Sequence, residues 1–180
     1  MKKENYLGVD VCAIDMEKAL SEIDVIIKNR KPSFLVAINP EKIMKAQKDE
    51  KLKELINSAD LQIPDGIGIV YASKFKKGDI KKRVTGIDLM QNICDMSAKK
   101  GYKVFLLGAK PGVAEEASKI LMERYAGLNI VGTRDGYFKE DEEVVNYIKT
   151  FSPDILFIAM GSPKQEYWIK KNMNALNIPF

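Results

Sequence analysis

Two hydrophobic periodicities alternate along this sequence, and their alternation constrains the fold more than any other feature. Short, wholly apolar runs suited to buried strands occur at residues 34–38, 104–107 and 155–160. Between these runs, apolar residues recur every three or four positions, as over residues 16–27, which is typical of amphipathic helices. Uniformly apolar strands separated by helices indicate a parallel sheet that is covered on both faces.

We therefore predict an α/β fold, with a Rossmann-like, mostly parallel sheet and helices on both faces. The predicted strands cover residues 34–38, 61–63, 104–107, 128–131 and 155–160, and the predicted helices cover residues 16–27, 40–48, 52–58, 66–75, 87–99, 113–125, 142–149 and 164–173. No internal repeat or Pro/Gly-rich linker divides the 180 residues, which predicts a single domain over residues 1–180.

The chain contains no histidine, and this absence restricts its chemistry. It excludes Ser-His-Asp and Cys-His nucleophile systems and His-ligated zinc. A general base near neutral pH must then be a carboxylate, a lysine, a tyrosine or a thiolate. Cys12 and Cys94 are too few for a disulfide framework and favour a reducing, cytosolic setting. No apolar run approaches the ~20 residues of a membrane span, so we predict none.

The net charge of +4 is too small to indicate a nucleic-acid partner, and no aromatic residues are interleaved with basic ones to stack on bases. We therefore predict no nucleic-acid binding. Most lysines alternate with acidic residues, as on a solvated surface. The lysine-rich stretch 74–82 has two interpretations, a solvated surface or contact with an anionic surface.

Polar residues cluster where predicted strands lead into helices. Four of the seven prolines lie just beyond predicted strands: Pro40, Pro64, Pro111 and Pro163. The pairs Asn39-Pro40 and Ser162-Pro163 each predict an N-cap followed by the first residue of a helix. In open α/β folds these junctions share the edge of the sheet where ligands bind, so we expect their polar side chains to converge.

The segment Ile63-Pro-Asp-Gly-Ile-Gly68 places Asp65 on a glycine-flanked turn. Asp65 is either a helix N-cap or a catalytic carboxylate, and the lack of histidine favours the second role. The two glycines resemble part of a dinucleotide-binding fingerprint, which would suit a dehydrogenase. The third glycine is missing, however, and Tyr71 is expected to obstruct close packing of helix on strand.

The segment Lys82-Arg-Val-Thr-Gly-Ile-Asp-Leu89 supplies two further candidates. Thr85 is suited to cap the helix that begins near Ile87. Arg83 lies in a predicted loop, where a planar guanidinium suits bidentate binding of phosphate; the alternative is a solvated surface arginine.

Two glycine-rich junctions suit an anionic ligand. In Leu107-Gly-Ala-Lys-Pro-Gly112, small residues let backbone N–H groups approach an anion at a helix N-terminus, although the segment is not a Walker A loop. In Gly132-Thr-Arg-Asp-Gly-Tyr-Phe138, either aromatic residue could stack on a base or pack into the core.

The segment 160–168 completes the set. Gln165 lies in the first turn of a predicted helix and is suited to hydrogen-bond a sugar, whereas Trp168 is expected in the core. No Asp-x-Asp metal motif occurs, so arginine, lysine and helix N-termini would have to meet the charge of a bound diphosphate. We therefore expect no metal or other cofactor.

Taken together and in this order, these segments resemble the WecG/TagA/CpsF family of bacterial glycosyltransferases, and its TagA branch most closely. The similar segments are residues 37–41, 63–66, 83–89, 107–112, 132, 136–138 and 160–166. The resemblance implies inverting transfer of N-acetylmannosamine from UDP-ManNAc to undecaprenyl-diphosphate-linked GlcNAc, an early step of wall teichoic acid synthesis. The alternatives are transfer of the uronic acid of ManNAc for another envelope polysaccharide, and a non-catalytic nucleotide-binding module.

The resemblance also assigns roles to residues. Asp65 matches the general base; the substrate-binding residues would be Ala37, Asn39, Arg83, Thr85 and Gln165, and the nucleotide-binding residues Gly108, Ala109, Lys110, Gly132 and Tyr137. Ala37 stands where the family's Thr-x-Asn-Pro motif has a threonine. A lost hydrogen bond of the ordinary kind would cost about 0.5–1.5 kcal/mol.

Family members are longer than 180 residues, so the chain is interpreted as a catalytic core that lacks the C-terminal segment. The resemblance implicates that segment in peripheral membrane contact, which implies a location at the inner face of the cell membrane. An exposed apolar helix face would in addition suit a homo-oligomer.

Overall fold

The computed structural model describes all 180 residues, which form seven strands and eight helices. The strands are β1 (Lys3–Tyr6), β2 (Val9–Cys12), β3 (Leu35–Ile38), β4 (Leu61–Pro64), β5 (Lys103–Gly108), β6 (Asn129–Arg134) and β7 (Ile155–Ala159). The helices are α1 (Met16–Asn29), α2 (Pro40–Ala46), α3 (Glu50–Asn57), α4 (Ile67–Phe75), α5 (Gly86–Lys100), α6 (Val113–Arg124), α7 (Asp141–Thr150) and α8 (Lys164–Leu176).

The predicted α/β fold is confirmed, because helices flank sheets whose central pairings are parallel. Strand β3 pairs with β4, and β5 lies between β6 and β7, all in parallel. These five strands form two separate sheets and not one continuous sheet. The antiparallel hairpin of β1 and β2 was not predicted.

The chain divides into two compact units, and both α1 and α5 contribute residues to each. Unit 1 comprises Met1–Asp24 and Ser33–Leu89, and therefore contains the hairpin and the β3–β4 sheet. Unit 2 comprises Val25–Pro32 and Met90–Phe180, and contains the three-stranded sheet. The assignment of residues 1–180 to one catalytic domain stays a prediction.

A fully buried glutamine fixes strand β4 inside unit 1. The Gln62 side-chain nitrogen donates to the backbone oxygens of Ile56 at 3.1 Å and Ala59 at 2.9 Å, and its Oε1 accepts from the Cys12 thiol at 3.4 Å. A buried amide is tolerated only when its hydrogen bonds are satisfied. These bonds therefore set the position of β4 against the turn that precedes it.

The N-terminal hairpin is attached to the rest of unit 1 through Glu4. Its carboxylate accepts hydrogen bonds from the Tyr6 hydroxyl at 2.5 Å, the Ser73 hydroxyl at 3.0 Å, and the backbone nitrogens of Asp79 at 2.6 Å and Ile80 at 2.9 Å. One carboxylate thus holds the end of α4 and the loop that follows it.

The core of unit 2 is an aromatic and aliphatic cluster under the three-stranded sheet. Its buried members are Phe105, Leu107, Val144, Val145, Ile148, Trp168, Leu176 and Ile178. Trp168 is in the core, as predicted, and its indole nitrogen donates to Asp141 Oδ1 at 2.9 Å.

The two predicted Pro-containing caps have different outcomes. Asn39 caps α2, with Pro40 as the first helical residue, and Asn39 Oδ1 accepts from the backbone nitrogen of Lys42 at 2.8 Å. The prediction for Ser162-Pro163 was wrong: α8 begins at Lys164, and Pro163 occupies the N-cap position without a side-chain bond to the helix. None of the eight helices is both long enough and apolar enough to cross a membrane.

Candidate functional site

Asp65 lies at the carboxyl end of strand β4 in unit 1. Its backbone nitrogen donates to the Ile38 oxygen at 2.8 Å, so the end of β3 fixes the position of Asp65. Gly66 follows with φ +106°, a conformation that favours glycine, and starts the turn into α4. Gly66 is itself the N-cap of α4, which has no side-chain cap. The interpretation of Asp65 as the cap of that helix was therefore wrong.

The loop before α5 lies alongside Asp65. The backbone nitrogen of Val84 donates to the Pro64 oxygen at 2.8 Å, and that of Gly86 lies 3.5 Å from Asp65 Oδ2. A Cβ at Gly86 would lie 3.9 Å from both Ala37 Cβ and Asp65 Oδ2. The structure thus brings Ala37, Asp65 and the start of α5 together.

Asn39 directly follows β3 and Thr85 directly precedes α5, and both side chains cap helices. Asn39 Oδ1 accepts the capping hydrogen bond at the start of α2, and the side-chain amide nitrogen takes no part in that bond. Thr85 Oγ1 accepts from the backbone nitrogen of Asp88 at 3.1 Å and donates to Asp88 Oδ2 at 2.6 Å. The capping interpretation of Thr85 is therefore confirmed, and any role in substrate binding would be additional.

Arg83 is exposed on the loop that follows α4. Val84, hydrogen-bonded to Pro64, fixes the backbone next to Arg83 near the end of β4. This position is compatible with both earlier interpretations, a phosphate ligand or a solvated arginine. No group of three or more Cys, Asp or Glu side chains is arranged to hold a metal ion.

Unit 2 contains a cavity of about 560 Å³ at the carboxyl ends of its strands. It is lined by Ala109, Lys110, Gly136, Tyr137, Phe138, Lys139, Ala159, Met160 and Lys164. Three of the five predicted nucleotide-binding residues are in this set. Of the other lining residues, the sequence singled out only Phe138, as a ring to stack on a base or to pack into the core, although the quoted motifs included several of the rest.

Close backbone packing forms one wall of this cavity. The Ala109 nitrogen donates to the Ala159 oxygen at 2.8 Å, and the Gly136 nitrogen donates to the Ala109 oxygen at 3.0 Å. Gly108 has φ +128°, and a Cβ there would collide with the carbonyl of Ala159. Gly108 is therefore required by the strand-end packing behind the cavity.

Three lysines and no carboxylate are among the cavity-lining residues: Lys110, Lys139 and Lys164. Lys164 Nζ donates to the Gly136 oxygen at 3.3 Å and lies 5.7 Å from the centre of the Phe138 ring. This contact fixes one ammonium group at the cavity wall. The cavity is thus suited to an anionic ligand of a few phosphate groups.

The two aromatic residues of the second glycine-rich junction have separate roles. Tyr137 is 69% exposed at the cavity, and its backbone nitrogen donates to Asp135 Oδ1 at 2.8 Å. Phe138 packs edge-on against Trp168, with ring centres 6.0 Å apart. Tyr137 is therefore the residue available to stack on a base.

Three predicted site residues of unit 2 do not line the cavity: Gly108, Gly132 and Gln165. Gly132 is half-buried and packs against two aromatic rings: a Cβ there would come within 2.6 Å of the Phe105 ring and 3.2 Å of the Phe151 ring. Gln165 is in the first turn of α8, as predicted, and its Oε1 accepts from the Gly161 nitrogen at 3.1 Å.

One argument against a dinucleotide fold was wrong. Tyr71 is 64% exposed, so it does not obstruct the packing of α4. The glycine that needs close approach is Gly68, where a Cβ would come within 2.7 Å of Pro40. Gly68 therefore serves the contact between α4 and the start of α2, whereas Gly66 serves the turn into α4.

Comparison with known proteins shows the family to which this chain belongs. Residues 4–180 match the model of the glycosyl transferase WecG/TagA/CpsF family, and the chain belongs to that family. A protein of Staphylococcus aureus (strain NCTC 8325), called N-acetylglucosaminyldiphosphoundecaprenol N-acetyl-beta-D-mannosaminyltransferase, is 37% identical over 174 residues, which are 96% of this chain and 68% of that protein. A protein of the same name from Bacillus spizizenii is 34% identical over 145 residues, 81% of this chain and 56% of that protein.

Proposed function

We propose that this chain is an inverting glycosyltransferase that moves N-acetylmannosamine from UDP-ManNAc to undecaprenyl-diphosphate-linked GlcNAc, an early step of wall teichoic acid synthesis. Family membership and the shared name of the two relatives support the substrates. The observation that carries the chemistry is Asp65, a carboxylate fixed at a strand end and not used to cap the helix that follows it.

In this proposal Asp65 is the general base. Its carboxylate takes the proton from the acceptor hydroxyl while that oxygen attacks the anomeric carbon of ManNAc. The bond from that carbon to the UDP oxygen breaks, and attack from the opposite face inverts the configuration. General-base catalysis typically contributes about 10²–10⁴-fold to the rate.

The cavity of unit 2 is the proposed site of the UDP group. The ammonium groups of Lys110 and Lys164 would meet the charge of the diphosphate, and Tyr137 would stack on the uracil ring. Gly108 and Ala109 shape the wall by close backbone packing. Gly132 would act indirectly, by allowing the sheet behind the cavity to pack.

The remaining residues are proposed to orient substrates. Arg83 would bind a diphosphate oxygen pair, while the Asn39 amide, the Thr85 hydroxyl and the Gln165 amide would hydrogen-bond sugar hydroxyls. Ala37 offers no hydroxyl beside Asp65, so we expect turnover below that of a chain with threonine at this position.

We propose that the reaction needs no metal cofactor, because lysine and arginine side chains supply the positive charge. Turnover should be unchanged by excess EDTA and should not rise with added Mg²⁺. Peripheral membrane contact at the inner face and assembly into a homo-oligomer also remain proposals.

The decisive experiment measures turnover with UDP-ManNAc and a short-chain lipid-diphosphate GlcNAc acceptor in detergent. Asp65→Asn should lower the rate at least a hundredfold with no change in the unfolding midpoint, because the amide cannot accept the proton. Asp95→Asn, at an exposed helix position, is the matched control and should be normal. Near-normal turnover of Asp65→Asn would reject the general-base role.

The same assay separates the alternative functions. Transfer from the UDP-linked uronic acid, with none from UDP-ManNAc, would correct the donor. Binding of UDP by the unmodified chain without any transfer would favour the non-catalytic module.

A further inference from the structure

Helix α4 of unit 1 carries an apolar stripe on its solvent side. Ile67, Tyr71 and Phe75 are 51%, 64% and 92% exposed, respectively. At about 100° per residue, they lie within an arc of about 80°, and Lys74 borders it. The opposite face is buried through Ile69 and Ser73. Such a stripe is larger than the single exposed hydrophobic residues that any surface carries.

The same segment concentrates the positive charge of the chain. Residues 67–83 contain six basic residues and one acidic residue, a formal charge of +5, whereas the whole chain has +4. The rest of the molecule is therefore close to neutral. The acidic residue, Asp79, forms an ion pair with Lys2, and the Glu4 carboxylate accepts from the backbone of the same segment. Lys2 and Glu4 cancel each other, so the local formal charge is still +5.

These lysines are displayed from a fixed segment. Glu4 binds the backbone nitrogens of Asp79 and Ile80, and Lys76 Nζ donates to the Asn5 oxygen at 2.8 Å. Lys74, Lys77, Lys81 and Lys82 are exposed around the same helix end and loop. The chain thus presents an apolar stripe beside a constrained basic cluster. We call residues 67–83 the α4 surface.

We propose that the α4 surface binds the interface of an anionic lipid bilayer. Insertion of the aromatic and aliphatic side chains at the boundary of the headgroups and acyl chains, with lysines contacting anionic headgroups, is the general mode of interfacial helices. Tyr71 and Phe75 would insert, and Lys74 and Lys77 would contact the headgroups.

A bilayer fits this surface better than a second copy of the chain. A two-fold dimer through this stripe would place the same patch against itself. Two segments that each carry a formal charge of +5 would then face each other, and like charges at close range oppose association. A negatively charged lipid surface instead complements both properties of the patch.

The position of the stripe has a consequence for the proposed reaction, and this step alone rests on the proposed function. Ile67 is two residues from Asp65, and the stripe extends about 12 Å from there along the helix axis. Docking of the α4 surface would hold the carboxylate close to the headgroup layer. An acceptor diphosphate anchored by a polyprenyl tail is presented at that layer.

The test is flotation of the purified 180-residue chain with vesicles. With 30% phosphatidylglycerol in phosphatidylcholine, we expect binding that falls as NaCl is raised, and little binding to pure phosphatidylcholine. The triple variant Lys74→Gln, Lys77→Gln, Lys82→Gln should lower the partition coefficient on the order of a hundredfold. Phe75→Ser should lower it about tenfold or more.

Matched variants elsewhere serve as controls. The triple variant Lys51→Gln, Lys119→Gln, Lys149→Gln removes the same charge, and Ile120→Ser removes an exposed apolar side chain from α6; both should bind nearly as the parent chain does. Turnover of Phe75→Ser in detergent should be normal, so loss of vesicle binding and failure of the proposed function are separate results.

Three results would overturn the proposal. They are absence of binding to the anionic vesicles, equal binding to both vesicle types, and equal losses in the control triple variant. Concentration-dependent dimerisation that Phe75→Ser abolishes, without vesicle binding by the parent chain, would instead assign the stripe to a second copy.

Discussion

The two strand-end sites of this molecule are built in opposite ways. In unit 1, Asn39 and Thr85 use side-chain oxygens to cap the helices that follow them, so the candidate site residues also maintain the fold. In unit 2, the junction is held by backbone hydrogen bonds and by the absence of a side chain at Gly108. The lysines around that cavity are exposed, and little of the fold depends on them.

The two units therefore differ in how strongly a substitution at a candidate site residue affects stability as well as activity. A substitution at Asn39 or Thr85 is expected to change both the free energy of unfolding and turnover. Substitution of a cavity lysine should change ligand affinity alone. Substitution of a junction glycine should affect stability first, and binding only as its consequence.

The largest expected effect tests whether close backbone packing at Gly108 holds the strand ends of unit 2 together. Gly108→Ala should lower the free energy of unfolding by about 3–5 kcal/mol, because its Cβ would collide with the Ala159 carbonyl in a strained backbone conformation. Gly101→Ala is the matched control: its φ is +74° but nothing lies within 4 Å, so it should cost only about 1–2 kcal/mol. Denaturant unfolding measures both, and equal costs would contradict the packing argument.

The second prediction tests how much the stability of unit 1 depends on side-chain hydrogen bonds. Burial alone would raise the pKa of Glu4, but hydrogen bonds from Tyr6, Ile80, Asp79 and Ser73 outweigh it and hold the pKa below its ordinary value. Glu4→Gln should therefore cost about 2 kcal/mol near neutral pH.

The stabilisation that Glu4 provides is expected to depend on pH. A depressed carboxyl pKa contributes stability that is fully present above about pH 5 and is lost as the pH falls through the folded value. The difference between Glu4→Gln and the parent chain should thus shrink below about pH 4. The control is Glu41→Gln, which loses only a solvent-exposed pair with Lys45 and should leave the free energy of unfolding nearly unchanged at neutral pH.

The Glu4 network also shows which features the sequence could not predict. The alternation of helices and strands, the Asn39-Pro40 cap and the strand-end position of Asp65 depend on local periodicity and turn chemistry, and all were predicted. Glu4 acts through contacts about 70 residues away, which no local pattern specifies. The β1–β2 hairpin had one local signal, Gly8 before the alternating residues Val9 and Val11, but its strands are only four residues long.

The same distinction explains the site residues of unit 2. The family resemblance assigned Ala109, Lys110 and Tyr137 to nucleotide binding, and all three line the cavity; the glycine-rich junctions that contain them follow strand ends, where ligands bind in α/β folds. Glycine at position 132 has a different cause, since it accommodates the rings of Phe105 and Phe151 from distant segments. A glycine in the sequence does not reveal whether a ligand or a side chain requires it.

A smaller effect is expected for the cavity lysines. Lys164→Gln should weaken UDP binding about tenfold, because one charge-assisted hydrogen bond to phosphate is lost, while the free energy of unfolding changes by less than about 0.5 kcal/mol. Lys110→Gln should behave in the same way. Calorimetric titration with UDP measures the affinity, with Lys149→Gln as the control. If the lysine variants changed the free energy of unfolding but not the affinity for UDP, the cavity lysines would serve the fold and not the ligand.

The smallest effect tests whether Asn39 has two roles. Asn39→Ala removes the cap of α2 and should cost about 1 kcal/mol of unfolding free energy. Asn39→Asp retains a capping oxygen and should restore stability, because aspartate caps helices as well as asparagine does. It cannot restore the amide nitrogen, the only donor of this side chain.

The pair of variants therefore separates the cap from the substrate contact. If Asn39 binds substrate, Asn39→Asp should be as stable as the parent chain and still turn over UDP-ManNAc at least tenfold more slowly. If turnover recovers together with stability, Asn39 is only a cap. Asn39 would then contribute to stability alone, and Asp65 would remain the proposed catalytic residue of unit 1. In both units, the residues that maintain the fold would then be different from the residues that act on the ligand.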